Sequence, residues 1–259
     1  MFKIVYPMFE RGRILKKELL LALRDYSFGF AKLQYDGLTD GIIAGCEISV
    51  SDRRLTVGPG IVKFQKFIYI MTEPQNVFYE PNEQFVSVKI RFSTTAAAST
   101  DFVNYSGNIV LDEDVYLHEN ELEVCRFKLK QGSRLRNDYF GFDDIQTEYD
   151  TINLANTTWA GQDHPGIHSF ILKSFAQEAL NCQLADPWDI TFVSQCLNGE
   201  FVHRSFIEAY ISHKFNKTAN TQMSNLQIYE DLGLCLRDIL RGQINKNQSR
   251  AKRMKIELN

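Results

Sequence analysis

"YDGLTDGIIAGCEISVSDRRLTVGPGIVKF" (residues 35–64) is the stretch that decides the fold, because glycines punctuate its short apolar runs. A phosphate-binding loop needs a strand, then glycines, then a helix whose N-terminus faces the anion. Here strand-like segments flank the glycines on both sides, and the sequence contains neither GxxxxGK[ST] nor GxGxxG. We therefore predict that the glycines serve turns and bulges and contact no ligand. They are Gly37, Gly41, Gly45, Gly58 and Gly60.

The residues after Gly45 show the period of β-strands. Cys46, Ile48 and Val50 alternate with polar residues, and "SDRR" separates them from Leu55 and Val57, which predicts a hairpin with one buried face. Further strands are predicted at 61–64 and 67–71, joined by a turn at 65–66, and at 86–92, 109–111 and 122–129. This makes about seven strands. The small and polar residues of 93–108 predict a long exposed loop between two of them.

An amphipathic helix is predicted before the strands, over Leu15–Leu33. Its apolar residues recur every three or four positions and lie in a stripe about 80° wide. They are Leu15, Leu19, Leu23, Tyr26, Phe30 and Leu33, and they are our candidate core or interface residues. Gly29 costs about 1 kcal/mol relative to alanine and is a candidate break. The stripe fits packing on its own domain, which is the commoner use, or on another subunit.

The second half of the chain has helical periodicity. Asp186 and Pro187 predict a helix start, and Gly199 its end. Ser224 and Gln227 have the spacing of a capping box, and Gly242 predicts the end of that helix. Two more helical patterns lie near 167–180 and 201–215.

The order of these elements predicts an α+β fold, with an N-terminal helix, an antiparallel β-domain and a C-terminal helical bundle. The predicted divisions are a helical arm at 1–38, the β-domain at 39–140, a linker at 141–162, the helical domain at 163–245 and a basic tail at 246–259.

Few residues of the sequence suggest metal binding or catalysis. His164 and His168 have the spacing of two metal ligands on a helix, but Pro165 and Gly166 indicate a helix start, so capping or surface roles are the default. Acidic runs at 112–114 and 143–144 are typical of solvated loops, although a glycosidase also uses two carboxylates. No GxSxG motif occurs. We predict no catalytic residue, no cofactor and no metal, and hence a non-enzymatic protein.

Charge and composition restrict the partners and the cellular compartment that the sequence predicts. The net charge of -3 gives no electrostatic case for binding nucleic acid or acidic membranes. No apolar stretch approaches the roughly 20 residues of a membrane span, and Pro7 and Glu10 interrupt the apolar start, so no secretion signal is expected. Five scattered cysteines indicate reduced thiols and a cytosolic origin. The basic tail lacks interleaved aromatic residues, which favours a flexible or partner-docking role over nucleic-acid binding.

Several phrases together resemble one family. They are "LQYDGLTDGIIAGCEI" (33–48), "LTVGPGIVKFQKFIYIM" (55–71), "ELEVCRFKLKQGSRLR" (121–136) and "TEYDTIN" (147–153). They are similar to a prophage-encoded protein of Gram-positive gut bacteria that is associated with contractile tails and phage-tail-like particles. The first two also resemble the N-terminal attachment regions of tail-fibre and baseplate proteins, where a helix precedes a small β-domain. Lys66 stands where members of the family typically have glycine.

The resemblance implies a structural adaptor in the baseplate or tail-fibre attachment of a phage or phage-derived contractile particle. Its partners would be other baseplate or tail-fibre proteins, and it would form a homo-oligomer, made in the bacterial cytoplasm and assembled into a virion or tail-like particle. One alternative is a carbohydrate- or surface-binding module that stacks sugars on Trp159, Trp188 or tyrosines. Another is a cell-wall hydrolase that uses Asp112 or His164.

Overall fold

The structure is a computed structural model that describes residues 3–12, 14–99, 101–199, 201–216 and 223–257, without the side chains of 97 and 243–257. Its helices are α1 (Lys17–Tyr35), α2 (Ser169–Leu180), α3 (Pro187–Asn198), α4 (Arg204–Phe215) and α5 (Asn225–Glu257). Its strands are β1 (Gly41–Gly45), β2 (Ile48–Ser51), β3 (Arg54–Val57), β4 (Gly60–Phe64), β5 (Phe67–Met71), β6 (Gln75–Phe78), β7 (Phe85–Phe92), β8 (Ala97–Ala98), β9 (Val103–Asn104), β10 (Gly107–Asp112) and β11 (Glu121–Lys128). The predicted α+β class is confirmed.

The strands form small antiparallel sheets. Three of these have three strands each, in the orders β1-β4-β5, β2-β3-β6 and β10-β7-β11, and β8 pairs with β9. Short strands in separate sheets suit a chain with a turn signal every few residues. The described residues hold more strands than the predicted seven, and the predicted loop 93–108 contains the β8–β9 hairpin and the start of β10.

The stretch 35–64 forms paired strands, as its pattern predicts. β2 pairs with β3 around the turn at Asp52 and Arg53, both of which have positive φ angles. Gly45 has φ +69°, and a Cβ there would lie 2.2 Å from the Pro59 carbonyl oxygen. Only glycine fits this close approach of two chain segments. Gly41 and Gly60 are equally crowded, whereas an added Cβ at Gly37 would meet nothing within 4 Å.

Strand β7 lies in the middle of its sheet and is buried on both faces. The predicted strand is confirmed, with β10 and β11 as its neighbours. Its polar residues Ser87 and Lys89 are fully buried, however, and do not form the solvated face that alternation predicts. A central strand covered on both sides loses that pattern because other segments of the chain lie over its polar side.

The helical half begins at caps that the sequence predicts. The Asp186 carboxylate accepts from the Trp188 amide at 2.9 Å. Ser224 and Gln227 bond reciprocally, at 2.8 and 3.1 Å, which is the predicted capping box. The predicted end at Gly242 is wrong, because α5 continues to Glu257. A single exposed glycine costs a long helix only about 1 kcal/mol.

The tail of basic residues after position 245 is helical as far as Glu257 and belongs to α5. The side chains of Lys246, Arg250, Lys252, Arg253 and Lys255 lie outside the described part of the structure, as do residues 258–259. The predicted docking role of this tail stays a prediction.

The segment 141–162, predicted as a linker, is largely buried between strands and helices. The Thr158 amide donates to the Glu123 carbonyl of β11, and the Thr158 carbonyl accepts from Ile42 of β1, both at 2.9 Å. Phe142 stacks on Tyr229 of α5, with ring centroids 4.8 Å apart. One continuous cluster of buried side chains therefore runs from the sheets into the helices.

All five cysteines are unpaired thiols, as their spacing predicts, and only Cys182 is partly exposed. Burial raises the pKa of Cys46 to about 11 and that of Cys196 to about 12, so these thiols stay protonated at neutral pH. No helix in the described part of the chain combines the length and the hydropathy needed to cross a bilayer.

Candidate interaction surface

Helix α1 is rich in apolar side chains and exposed along its length. It contains no buried residue, although its apolar periodicity is that of a helix packed against a core. Gly29 does not interrupt it. Isolated exposed apolar side chains are ordinary, whereas contiguous ones mark a surface that another molecule covers.

The candidate residues from the sequence lie on this exposed helix or directly before it. Leu23 is 49% exposed and Leu33 is 81% exposed, and the others lie between these values except for the partly buried Leu19. Leu15 precedes the first helical residue, Lys17. The set consists of Leu15, Leu19, Leu23, Tyr26, Phe30 and Leu33, and we call it the α1 stripe.

Sequence reasoning missed part of the apolar surface. Leu20 and Phe28 are outside the stripe and are also exposed. The segment before the helix adds six more exposed large side chains, Ile4, Val5, Tyr6, Met8, Phe9 and Ile14. The composition of "IVYPMF" could have revealed this second surface.

The C-terminal end of α1 is fixed to the β-domain by one buried lysine. Lys63 of β4 is 8% exposed, and its ammonium group donates to the carbonyl oxygens of Tyr35, Asp36 and Leu38. The Tyr35 and Asp36 carbonyls lie at the C-terminal end of α1, which carries the negative end of the helix dipole, and Leu38 follows two residues later. The helix is therefore fastened at its last turn while its length stays exposed.

The histidines of the metal hypothesis have other roles. His168 is the N-cap of α2, where its Nδ1 accepts from the Phe170 amide at 3.1 Å. Its ring lies 4.9 Å from that of Trp159, and burial lowers its pKa to about 4. His164 is exposed in the preceding loop. Among the described residues, no group of three or more His, Cys, Asp or Glu side chains is arranged to hold a metal ion.

The acidic candidates are held by arginine and lysine side chains. Asp112 lies 2.6 Å from Arg91 and 3.6 Å from Lys89. The Asp114 amide, and then these two cations, lower the pKa of the Asp112 carboxyl. Asp144 is paired with Arg136 at 2.5 Å, and this hydrogen bond lowers its pKa in the same way. Both carboxyls are therefore ionised and engaged at neutral pH.

Asp143 is the other residue of the acidic run 143–144, and its carboxylate pairs with Arg237 of α5 at 3.0 Å. This ion pair joins the segment after the sheets to the last helix. It is a surface contact, since both side chains are substantially exposed.

The two tryptophans of the carbohydrate hypothesis pack against different neighbours. Trp159 is partly buried beside His168. Trp188, in the first turn of α3, stacks on His213 of α4 with centroids 4.8 Å apart. A histidine thus covers one face of Trp188, whereas the ring of His168 is tilted by 57° against that of Trp159.

Comparisons with known proteins give only remote similarity. No protein-family model matches the sequence, and neither does any curated protein. The crystal structure of TssK is similar with a TM-score of 0.37 and 9% identity, over 93% of this chain and 72% of that one. A chain of the TssK-TssF-TssG baseplate subcomplex of the type VI secretion system is similar with a TM-score of 0.42 and 11% identity, over 92% of this chain and 100% of that one.

A chain of the baseplate complex from the type VI secretion system is also similar, with a TM-score of 0.39 and 10% identity over 92% of this chain and 100% of that chain. All three TM-scores are below 0.5. Similarity at this level does not assign the chain to a family.

Proposed function

We propose that the protein is a non-enzymatic structural adaptor in the baseplate or tail-fibre attachment of a phage or phage-derived contractile particle. The observation that carries the proposal is the exposure of α1, a 19-residue helix with no buried residue. The type of assembly comes from the four phrases of sequence that resemble tail-associated proteins. The TssK structures are too remote to support it.

The adaptor works by rigid docking. The β-domain holds α1 through Lys63, and the α1 stripe lies in an apolar groove of a neighbouring baseplate or tail-fibre protein. An amphipathic helix commonly binds a partner in this way, with anchors three and four residues apart. The stripe supplies leucines and aromatic residues in this spacing, and aromatic anchors dominate many interfaces.

The test compares two double variants of α1 in the bacterium that produces the particle. Leu23→Ser with Phe30→Ser removes two anchors, and Arg24→Ser with Lys32→Ser changes two exposed polar residues of the same helix. We expect the first variant to be missing from purified particles while the second is incorporated normally. Mass spectrometry of the particles measures the incorporation, and electron microscopy locates the subunit.

Both variants should keep the stability of the isolated chain to within about 1 kcal/mol, since serine on an exposed helix costs little beyond its propensity. Normal incorporation of the Leu23 and Phe30 variant would refute docking through α1. A particle that lacks the protein altogether would refute the adaptor role. We also propose that the chain is made in the bacterial cytoplasm before it joins the particle.

A further inference from the structure

A groove at the end of β2 is a second surface that the proposed role of α1 does not use. Its volume is about 620 Å³, within the range of sites that enclose small ligands or side chains. Tyr79, Leu129 and Leu135 are buried and contribute its apolar lining. Arg53, Arg134 and Asp52 line it as well and are exposed, so its rim carries two positive charges and one negative charge. We call it the β2 groove.

One wall of the β2 groove is a free strand edge. β2 is the outer strand of its sheet and pairs only with β3 among the described strands. Ser51 and Arg54 flank the two-residue turn and face each other, so the N–H and C=O of Val50 point away from β3. An extended peptide in the groove could bond to them, as in strand addition.

The neighbouring position on this edge already shows such a contact. The Ile48 carbonyl, which points in the same direction as that of Val50, accepts from the side-chain amide of Asn137 at 2.7 Å. The side-chain amide of Asn137 thus occupies the position that a backbone amide of an added strand would take. At Val50 the groove is open instead.

The chain itself supplies a segment with the matching chemistry. Residues 3–9 have no regular secondary structure, and Tyr6, Met8 and Phe9 are 80%, 57% and 57% exposed. Glu10 follows directly and has the charge that Arg53 and Arg134 would attract. Two apolar side chains followed by a carboxylate therefore correspond to an apolar lining whose rim has one net positive charge, from Arg53 and Arg134 against Asp52.

Proline has a specific consequence for this pairing. Consecutive residues of a strand turn their N–H groups to opposite edges, so Tyr6 and Met8 can face β2 while Pro7 faces away from it. Proline lacks an N–H and is tolerated only on such an outer edge. The spacing of Pro7 between these two residues is therefore compatible with addition to β2.

We propose that the β2 groove binds the N-terminal segment, residues 3–10, of a second copy of this chain. The segment lies exposed in the single chain and leaves the groove of its own chain open. It precedes α1, whose 19 residues span about 28 Å and whose far end is the one fixed by Lys63. This places the segment at the end of α1 remote from its attachment, from where it reaches a neighbouring copy.

The experiment uses the full chain with a photo-crosslinking benzoyl-phenylalanine in place of Phe9. Unlabelled protein is mixed with protein carrying a heavy isotope, so that mass spectrometry separates cross-links between copies from those within one copy. We expect cross-links from position 9 to residues 129–135 of the other copy. Cross-links found only within one copy would overturn the proposal, and so would cross-links to other surfaces.

A charge swap tests the recognition itself. Arg134→Glu should reduce the yield of cross-links between copies by about fivefold, corresponding to about 1 kcal/mol, and Glu10→Arg in the same chain should restore it. Arg54→Glu is the matched control, because Arg54 is exposed beside Arg53 but does not line the groove. A yield that is insensitive to Arg134→Glu, or that the swap does not restore, would contradict the proposal.

The cross-linking and charge-swap experiments are independent of the test of the α1 stripe. The α1 variants leave residues 3–10 and the β2 groove intact, and the charge swap leaves the α1 stripe intact. Failure of one therefore does not imply failure of the other.

Discussion

The ammonium nitrogen of Lys63 lies 2.9 Å from the carbonyl oxygen of Asp36, which is the C-cap residue of α1. The same nitrogen is 3.1 Å from the carbonyl oxygen of Tyr35. One side chain from a strand thus closes the end of a helix that buries no residue of its own. The orientation of the exposed apolar surface relative to the β-domain depends on this contact.

Lys63→Met should therefore loosen α1 and destabilise the protein. Charge-assisted hydrogen bonds to a buried amine are worth about 1.5–3 kcal/mol, so we expect the free energy of unfolding to fall by about 2 kcal/mol. Urea denaturation measures this change, and hydrogen exchange should show faster exchange in the last turns of α1. Lys66→Met, in the neighbouring exposed turn, is the control and should stay within about 0.5 kcal/mol. Equal effects of the two substitutions would contradict the anchoring role.

In the β10-β7-β11 sheet, loss of a buried ion pair should lower the free energy of unfolding far more than loss of the exposed pair beside it. Lys89 lies 3.1 Å from Glu121, and both side chains are fully buried. Lys89→Met leaves a buried carboxylate without that partner and should cost about 3 kcal/mol. Arg91, which is 44% exposed, pairs with the same carboxylate at 2.6 Å, and Arg91→Met should cost clearly less because solvent screens this pair. Denaturation curves that shift equally for the two variants would show that burial does not set the cost.

The stability of the protein should fall between pH 6.5 and pH 4 because the partly buried His168 is held in its neutral form. Its pKa is lowered to about 4, so the unfolded chain takes up a proton that the folded chain does not. The contribution of His168 is complete above its unfolded pKa and decreases as the pH falls, by at most about 3 kcal/mol. Thermal unfolding at several pH values measures it.

His168→Asn is the control for this pH dependence, because asparagine keeps an oxygen for the N-cap of α2 but does not titrate. The slope of stability against pH should become smaller in this variant. An unchanged slope would assign the pH dependence to other groups, and the prediction for His168 would be wrong.

Two glycines of the stretch 35–64 should respond differently to alanine. At Gly45 the positive φ and the nearby Pro59 carbonyl leave no room for a Cβ, so Gly45→Ala should cost about 3 kcal/mol. At Gly37 the space is open, and Gly37→Ala should change the stability by less than about 1 kcal/mol. Circular dichroism during thermal unfolding compares the two. Similar melting temperatures would argue against the close approach at Gly45.

The sequence by itself determined the elements whose signals are local. The turn between β2 and β3, the cap at Asp186 and the capping box at Ser224 each depend on residues at most four positions apart. Such patterns have the same physical meaning wherever the segment lies in the fold, which is why they could be predicted. The α+β class follows from their order.

Only the tertiary structure decided which of these elements are covered. The pattern of α1 is that of a buried helix, yet it is exposed, and Lys89 is in a polar position of β7, yet it is buried. Burial depends on segments remote in sequence, such as 157–160, whose backbone joins β1 to β11. Hydrophobic periodicity specifies a face that can be buried, whereas the surface that covers it is set by long-range packing.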